Sequence, residues 1–157
     1  MLTDPDHFMS KAFRLARAGM GKTGHRPFAC VIVKDGNVVG QAVSQSRNSL
    51  DVTSHGEVLA IRDASKRLAS RDLSDCELYT TCEPCPMCVA AIWYAKISKM
   101  YYAFTLRECE AIGVSTKELV EELQRPVDQR KLPSVRIKQE EGKRLFVDWQ
   151  EAPNFVP

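Results

Sequence analysis

The 157-residue chain lacks any apolar run long enough to span a bilayer. Its opening residues, Met1 to Ser10, also lack the apolar stretch of a secretory signal peptide. A cytoplasmic location and no membrane partner are therefore expected. Charge of one sign is missing as well: 22 basic residues stand against 20 acidic ones, a formal +2. The basic residues Arg125, Arg130, Lys131, Arg136, Lys138, Lys143 and Arg144 are interspersed with Asp128, Glu140 and Glu141, the usual mixture of a solvated face. Nothing resembles a basic arm that tracks a phosphate backbone, so a nucleic-acid partner is not expected. There is no repeat, low-complexity tract or Gly/Ser linker. With 44% hydrophobic residues, residues 1–157 should form a single domain with its own core.

Six cysteines are present without the secretory context of a disulfide scaffold. Cys82, Cys85 and Cys88 follow one another at intervals of three, too crowded for three separate bridges, and metal ligation accounts better for at least two. Cys30, Cys76 and Cys109 read as small buried hydrophobes.

Asp4-Pro5 supplies an N-cap and a first helical residue, and Phe8, Ala12, Leu15 and Ala16 continue as an apolar helical stripe ending near Gly19–Gly21. The run from Phe28 to Val33, the turn Lys34-Asp35-Gly36-Asn37 and the run from Val38 to Val43 predict a hairpin. A second helix opens at Ser54, with Val58, Ile61, Ala64 or Ser65, and Leu68 on its apolar face. Strands are predicted over 77–81, 99–104 and 134–139. Helices are predicted over 87–95 behind Pro86, around 107–113 and 116–123, and over 142–151. Such an order fits a sheet covered by helices on both faces.

Two stretches carry chemistry: Ser54-His55-Gly56-Glu57 and Cys82-Glu83-Pro84-Cys85-Pro86-Met87-Cys88, each at a helix start. His55, Cys85 and Cys88 form a good zinc set, and three protein ligands leave a fourth position for water. Zinc lowers the pKa of water there towards neutrality. The free N–H groups of a first turn favour the thiolates of Cys85 and Cys88. Glu57, two residues past the histidine, is placed to move a proton from water to a leaving amine. This pattern, H-x-E followed by P-C-x-x-C, is the signature of zinc deaminases. Two bland readings compete. Ser54-x-x-Glu57 is also a capping box, and Cys82 could close a structural Cys₃His site. His7 and His25 have no ligand spacing and read as surface or loop residues.

On these residues the chain resembles the cytidine deaminase-like superfamily, and within it the small bacterial guanine deaminases. The supporting stretches are Pro27-Phe28 leading into Val31-Ile32-Val33-Lys34-Asp35-Gly36, then Glu57-Val58-Leu59-Ala60-Ile61-Arg62, Leu78 to Cys88, and Phe146-x-x-Trp149. The resemblance implies an α/β fold, a three-layer α/β/α sandwich with a mixed five-stranded sheet. It also implies a homodimer whose C-terminal segment, residues 142–157, is exchanged between subunits. Zinc would be held by His55, Cys85 and Cys88, with Glu57 as the catalytic proton shuttle. Phe28 and Trp149 would line an aromatic slot for a flat ring, although core packing is the commoner fate of a single aromatic residue. The Gly56 backbone, Ser44 and Ser115 would contact the substrate.

Departures gather around that substrate. Ser44 stands where the family has asparagine, and Gly113-Val114-Ser115-Thr116 where guanine deaminases carry Gly-Phe-Asp-Asp. Ala29-Cys30 replaces Gly-Ala, and Gly56 replaces alanine. The expected function is zinc-dependent hydrolytic deamination of a small aminoheterocycle, with guanine to xanthine plus ammonia as first choice. The alternatives are a cytosine- or aminotriazine-type deaminase, a tRNA adenosine deaminase, and a non-catalytic zinc-stabilised binding module.

Overall fold

The computed structural model describes residues 4–20 and 26–156. Helix α1 (Pro5–Met20) starts where the sequence places it, with the Asp4 carboxylate accepting from Asp6 N–H at 3.0 Å. Strands β1 (Ala29–Lys34) and β2 (Asn37–Val43) pair antiparallel around a two-residue turn. Asp35 and Gly36 both take positive φ there, 50° and 75°, the type I′ geometry that Asp-Gly favours. Helix α2 (Gly56–Leu68), strand β3 (Glu77–Cys82), helix α3 (Pro86–Tyr94) and strand β4 (Lys99–Phe104) follow. β3 pairs antiparallel with β1 and parallel with β4, giving a mixed sheet of order β2-β1-β3-β4.

The strands sort their side chains with period two. Cys30, Ile32 and Leu78 pack against Ala60 and Ala64 of α2 and the α3 end at Ile92 and Ala95. Val31, Val33 and Tyr79 face the other way onto Phe8 and Ala12 of α1. Both faces are covered, which is why β1 reads as a continuous apolar run. Tyr79 stacks on Tyr101 at 4.6 Å and lies 5.3 Å from Phe8, anchoring the α1 layer.

The buried stripe of α2 is Gly56, Glu57, Ala60 and Ala64, turned by one position from the expected Val58-Ile61-Leu68 face. The small residues win because β2 comes very close. A Cβ on Gly40 would lie 2.5 Å from the Ala60 carbonyl oxygen and 2.8 Å from Ala64 N and Cβ. Those are helix backbone and core atoms that cannot swing aside. Gly40→Ala should therefore cost about 3 kcal/mol, the upper part of the overpacking range, and lower Tm by about 6–12 °C in a thermal melt. An unchanged Tm would mean that α2 can slide off the sheet.

The described residues form four strands, and the expected fifth is not among them. Residues 134–139 alternate Val135 and Ile137 with Arg136 and Lys138, but Val135 and Ile137 are 83% and 74% exposed. Alternation makes a strand only where a neighbour buries one side, and Lys138 turns left-handed (φ 52°), starting the last helix early. The chain divides into two compact units, up to Lys117 and from Glu118 onward. The first also holds α4 (Leu106–Ala111), whose capping box is Thr105 and Glu108. The second carries most of α5 (Lys117–Gln124), a 3₁₀ turn and α6 (Gln139–Gln150). Four of its seven basic residues are paired locally: Arg125 with Glu122, Lys131 with Glu118, Lys138 with Glu141 and Lys143 with Glu140. No helix among the described residues is long and apolar enough to cross a membrane.

Candidate active site

Two helix N-termini meet beside the end of β3. His55 is the N-cap residue of α2 and Cys85 that of α3, where Pro86 takes the first helical position and Cys88 the third. His55 Nδ1 lies 3.5 Å from Cys85 Sγ and 3.5 Å from Cys88 Sγ, and the two sulfurs are 3.6 Å apart. Tetrahedral zinc with bonds of ~2.0–2.1 Å to nitrogen and ~2.3 Å to sulfur needs ligand edges of about 3.6–3.8 Å. The triangle fits that ion. Its electrostatics already favour it: the Cys85 thiol is pushed down to about 4, chiefly by its hydrogen bond with Cys88 and also by His55. The complementary effect raises Cys88, which shares that hydrogen bond and is fully buried. His55 is raised mainly by its hydrogen bond to Cys85, opposed by its burial and, to a smaller extent, by the charge of Arg26.

Cys82 does not join them. Its sulfur lies 3.1 Å from Cys109 Sγ, and burial pushes its thiol up. His55, Cys85 and Cys88 are the one group of three clustered donors among the described residues, so the closed Cys₃His arrangement is not formed.

Nor is Glu57 a cap. The Ser54 hydroxyl donates to Asp51 Oδ2 at 2.6 Å, and the α2 N-cap makes no side-chain hydrogen bond. Glu57 instead turns inward, 6% exposed. Its Oε1 accepts from Thr80 Oγ1 at 3.1 Å, while Cys88 Sγ donates towards Oε2 at 3.4 Å. Burial raises its pKa, partly offset by its own backbone N–H and then by the hydrogen bonds from Thr80 and Cys88. Asp51, held down to about 2 by Ser54 and Thr53, stitches the loop that delivers His55.

A cavity of 150 Å³ opens on this group. That is about the volume of a cavity able to admit one benzene-sized ring. Phe28, Ser44 and Ser115 line it, as the resemblance implies. Phe28 is fixed from both sides: its carbonyl accepts from Ser44 N–H at 2.8 Å, while Thr81 Oγ1 donates to Pro27 O and accepts from Ala29 N–H. Gly56 is not on the wall. It lies buried beneath Phe28, whose carbonyl oxygen would be 3.0 Å from a Cβ there. Trp149 stands on α6 of the second unit, 4.8 Å from the Phe155 ring and 47% exposed. His7 is exposed, as expected, and His25 lies outside the described residues.

Sequence reasoning missed Thr80, Arg26 and Glu83. Thr80 was within reach, since period two from Leu78 points it at α2. Glu83 accepts from Leu106 N–H at 2.8 Å and so anchors the wall formed by α4, a contact 23 residues away that no local pattern carries.

A buried carboxylate beside an open His-Cys-Cys set, on an α/β/α frame, defines a zinc-dependent hydrolytic deaminase. Residues 2–104 match the cytidine and deoxycytidylate deaminase zinc-binding region, and the chain belongs to that family. It is 35% identical over 147 residues to the guanine deaminase of Bacillus subtilis, covering 94% of each chain. The X-ray structure of the Bacillus subtilis guanine deaminase superposes with a TM-score of 0.93 over 98% of both chains at 34% identity. The chain is also 39% identical over 101 residues to the tRNA-specific adenosine deaminase of Agrobacterium fabrum, covering 64% of this chain and 66% of that one.

Proposed function

We propose that the chain hydrolyses guanine to xanthine and ammonia, with His55, Cys85 and Cys88 holding zinc and Glu57 moving the proton. The observation that carries the reading is Glu57 itself, buried beside the donor set with no capping role. Zinc in that site supplies a nucleophile at neutral pH by acidifying water. Glu57 accepts a proton from the attacking water and delivers it to the exocyclic nitrogen, which leaves as ammonia. Thr80 holds the carboxylate in place for both transfers. Phe28 gives the flat ring an apolar wall, and Ser44 and Ser115 offer hydroxyls to its edge. Guanine is favoured by the similarity over 94% of the chain.

We further place the protein in the cytoplasm as a homodimer. Six unpaired cysteines suit a reducing compartment. The apolar side chains of α3, Val89, Trp93 and Tyr94, are 49%, 78% and 80% exposed and offer a face for a second copy. Within the second unit, Leu145 and Phe146 of α6 are 66% and 63% exposed, which supports exchange of residues 142–157 carrying Trp149. Light scattering at twice the chain mass is the expected result.

An ammonia-release screen over guanine, guanosine, cytosine, adenine and aminotriazines tests the substrate. Guanine should give the largest kcat/KM. Release from cytosine or an aminotriazine alone would reassign the substrate, and release from none would leave a zinc-stabilised binding module. The likeness to the tRNA-specific enzyme keeps tRNA adenosine as a second reading, which requires RNA binding that weakens steeply with salt.

A further inference from the structure

We propose that Arg26 determines specificity, its guanidinium taking an oxygen-bearing acceptor edge of the heterocycle in the cavity. The inference rests on the deaminase reading above and names the class of ring selected: aminoheterocycles with a ring oxo group, such as the O6/N7 edge of guanine or the 2-oxo edge of cytosine. Among the residues lining the cavity, Arg26 brings the one guanidinium or ammonium group. It is half-buried and forms no salt bridge among the described residues. A partly desolvated guanidinium without a carboxylate partner is costly, and a ligand acceptor removes that cost. Its charge also reaches His55.

Three of the acceptors on the wall are already engaged. Glu57 accepts from Thr80 and Cys88, Glu83 from Leu106 N–H, and the Ser115 hydroxyl from Lys117 N–H at 3.2 Å. Both wall carboxylates, Glu57 and Glu83, thus hold protein donors. The balance of the wall is therefore towards donation, and five fixed N–H donors form its largest element. A planar fork facing two acceptors on one ring edge is the geometry by which arginine reads guanine O6 and N7. An amino group or hydrogen at that place offers the fork nothing.

The test compares matched pairs, guanine against 2-aminopurine and cytosine against 4-aminopyrimidine, in the zinc-loaded wild type and in Arg26→Met and Arg26→Lys. Wild type should favour the oxo member of the pair it turns over by about 10–10²-fold in kcat/KM. Arg26→Met should raise KM for that member by a similar factor with kcat within about threefold, because the contact lies away from the reacting carbon. The deoxo member should be unaffected, and Arg26→Lys should fall between, keeping charge but losing the fork. Equal losses for both members, or none, would overturn the proposal. Calorimetric binding of the same pairs to Glu57→Gln repeats the comparison without turnover. A wild type that releases no ammonia but binds the oxo member through Arg26 would refute the deaminase reading alone. Failure to discriminate in binding as well would end the inference.

Discussion

Glu57→Gln should keep a full equivalent of zinc and lose about 10²–10⁴-fold in kcat, the range of a positioned general acid–base. Glutamine is close to isosteric, and its carbonyl can still accept from Thr80 Oγ1. What it cannot do is take a proton from water and return it to nitrogen. The thermal midpoint separates this role from a structural one. Were Glu57 a device for starting α2, its replacement would cost stability and spare turnover. The structure points the other way. The Ser54 hydroxyl is committed to Asp51, and the Glu57 carboxylate carries a desolvation cost at 6% exposure. A neutral amide avoids that cost, so Tm should hold or rise slightly while the rate collapses. Metal analysis, ammonia-release kinetics and a melt on one preparation check all three statements. Normal turnover with zinc in place would refute the assignment.

The parts of this site legible in the sequence are those set by short-range rules. Cys85-Pro86-Met87-Cys88 fixes a first helical turn, and a turn brings residues three apart onto one side. The Asp-Gly hairpin was likewise local, because the positive φ at two successive residues narrows the choice of sequence. Ser54-x-x-Glu57 shows the limit. The spacing is that of a capping box, but Asp51 captures the serine and β3 supplies Thr80 to the glutamate, so a local motif gave way to tertiary partners. Residues 134–139 failed for a related reason. Alternation records a preference for an edge, and among the described residues no edge receives them. Arg26 was illegible because nothing in its neighbours tells a loop arginine from a cavity wall. Its significance comes only from the strands and helices that enclose the space beside it.

Cys88→Ser should abolish zinc retention and with it turnover, whereas Cys82→Ser should keep its zinc. The contrast follows from where the two sulfurs lie, despite their place in one seven-residue stretch. Cys88 Sγ is fully buried, 3.5 Å from His55 Nδ1 and 3.6 Å from Cys85 Sγ, so its loss removes one of three ligands. A serine hydroxyl is a poor substitute, being hard and protonated where zinc takes a thiolate. Cys82 Sγ faces Cys109 instead, and a smaller side chain there disturbs packing without touching the triangle. Chelation of the wild type gives the same comparison without mutation. At a free zinc concentration about a hundredfold above Kd, binding stabilises the fold by ~2.7 kcal/mol, so stripping the ion should lower Tm by about 5–10 °C. Restoring zinc should recover both Tm and rate in the wild type and neither in Cys88→Ser. If Cys82→Ser also lost its metal, the sulfur would be a fourth ligand. The site would then be closed to water, and the deaminase reading of these two helix ends would fall with it.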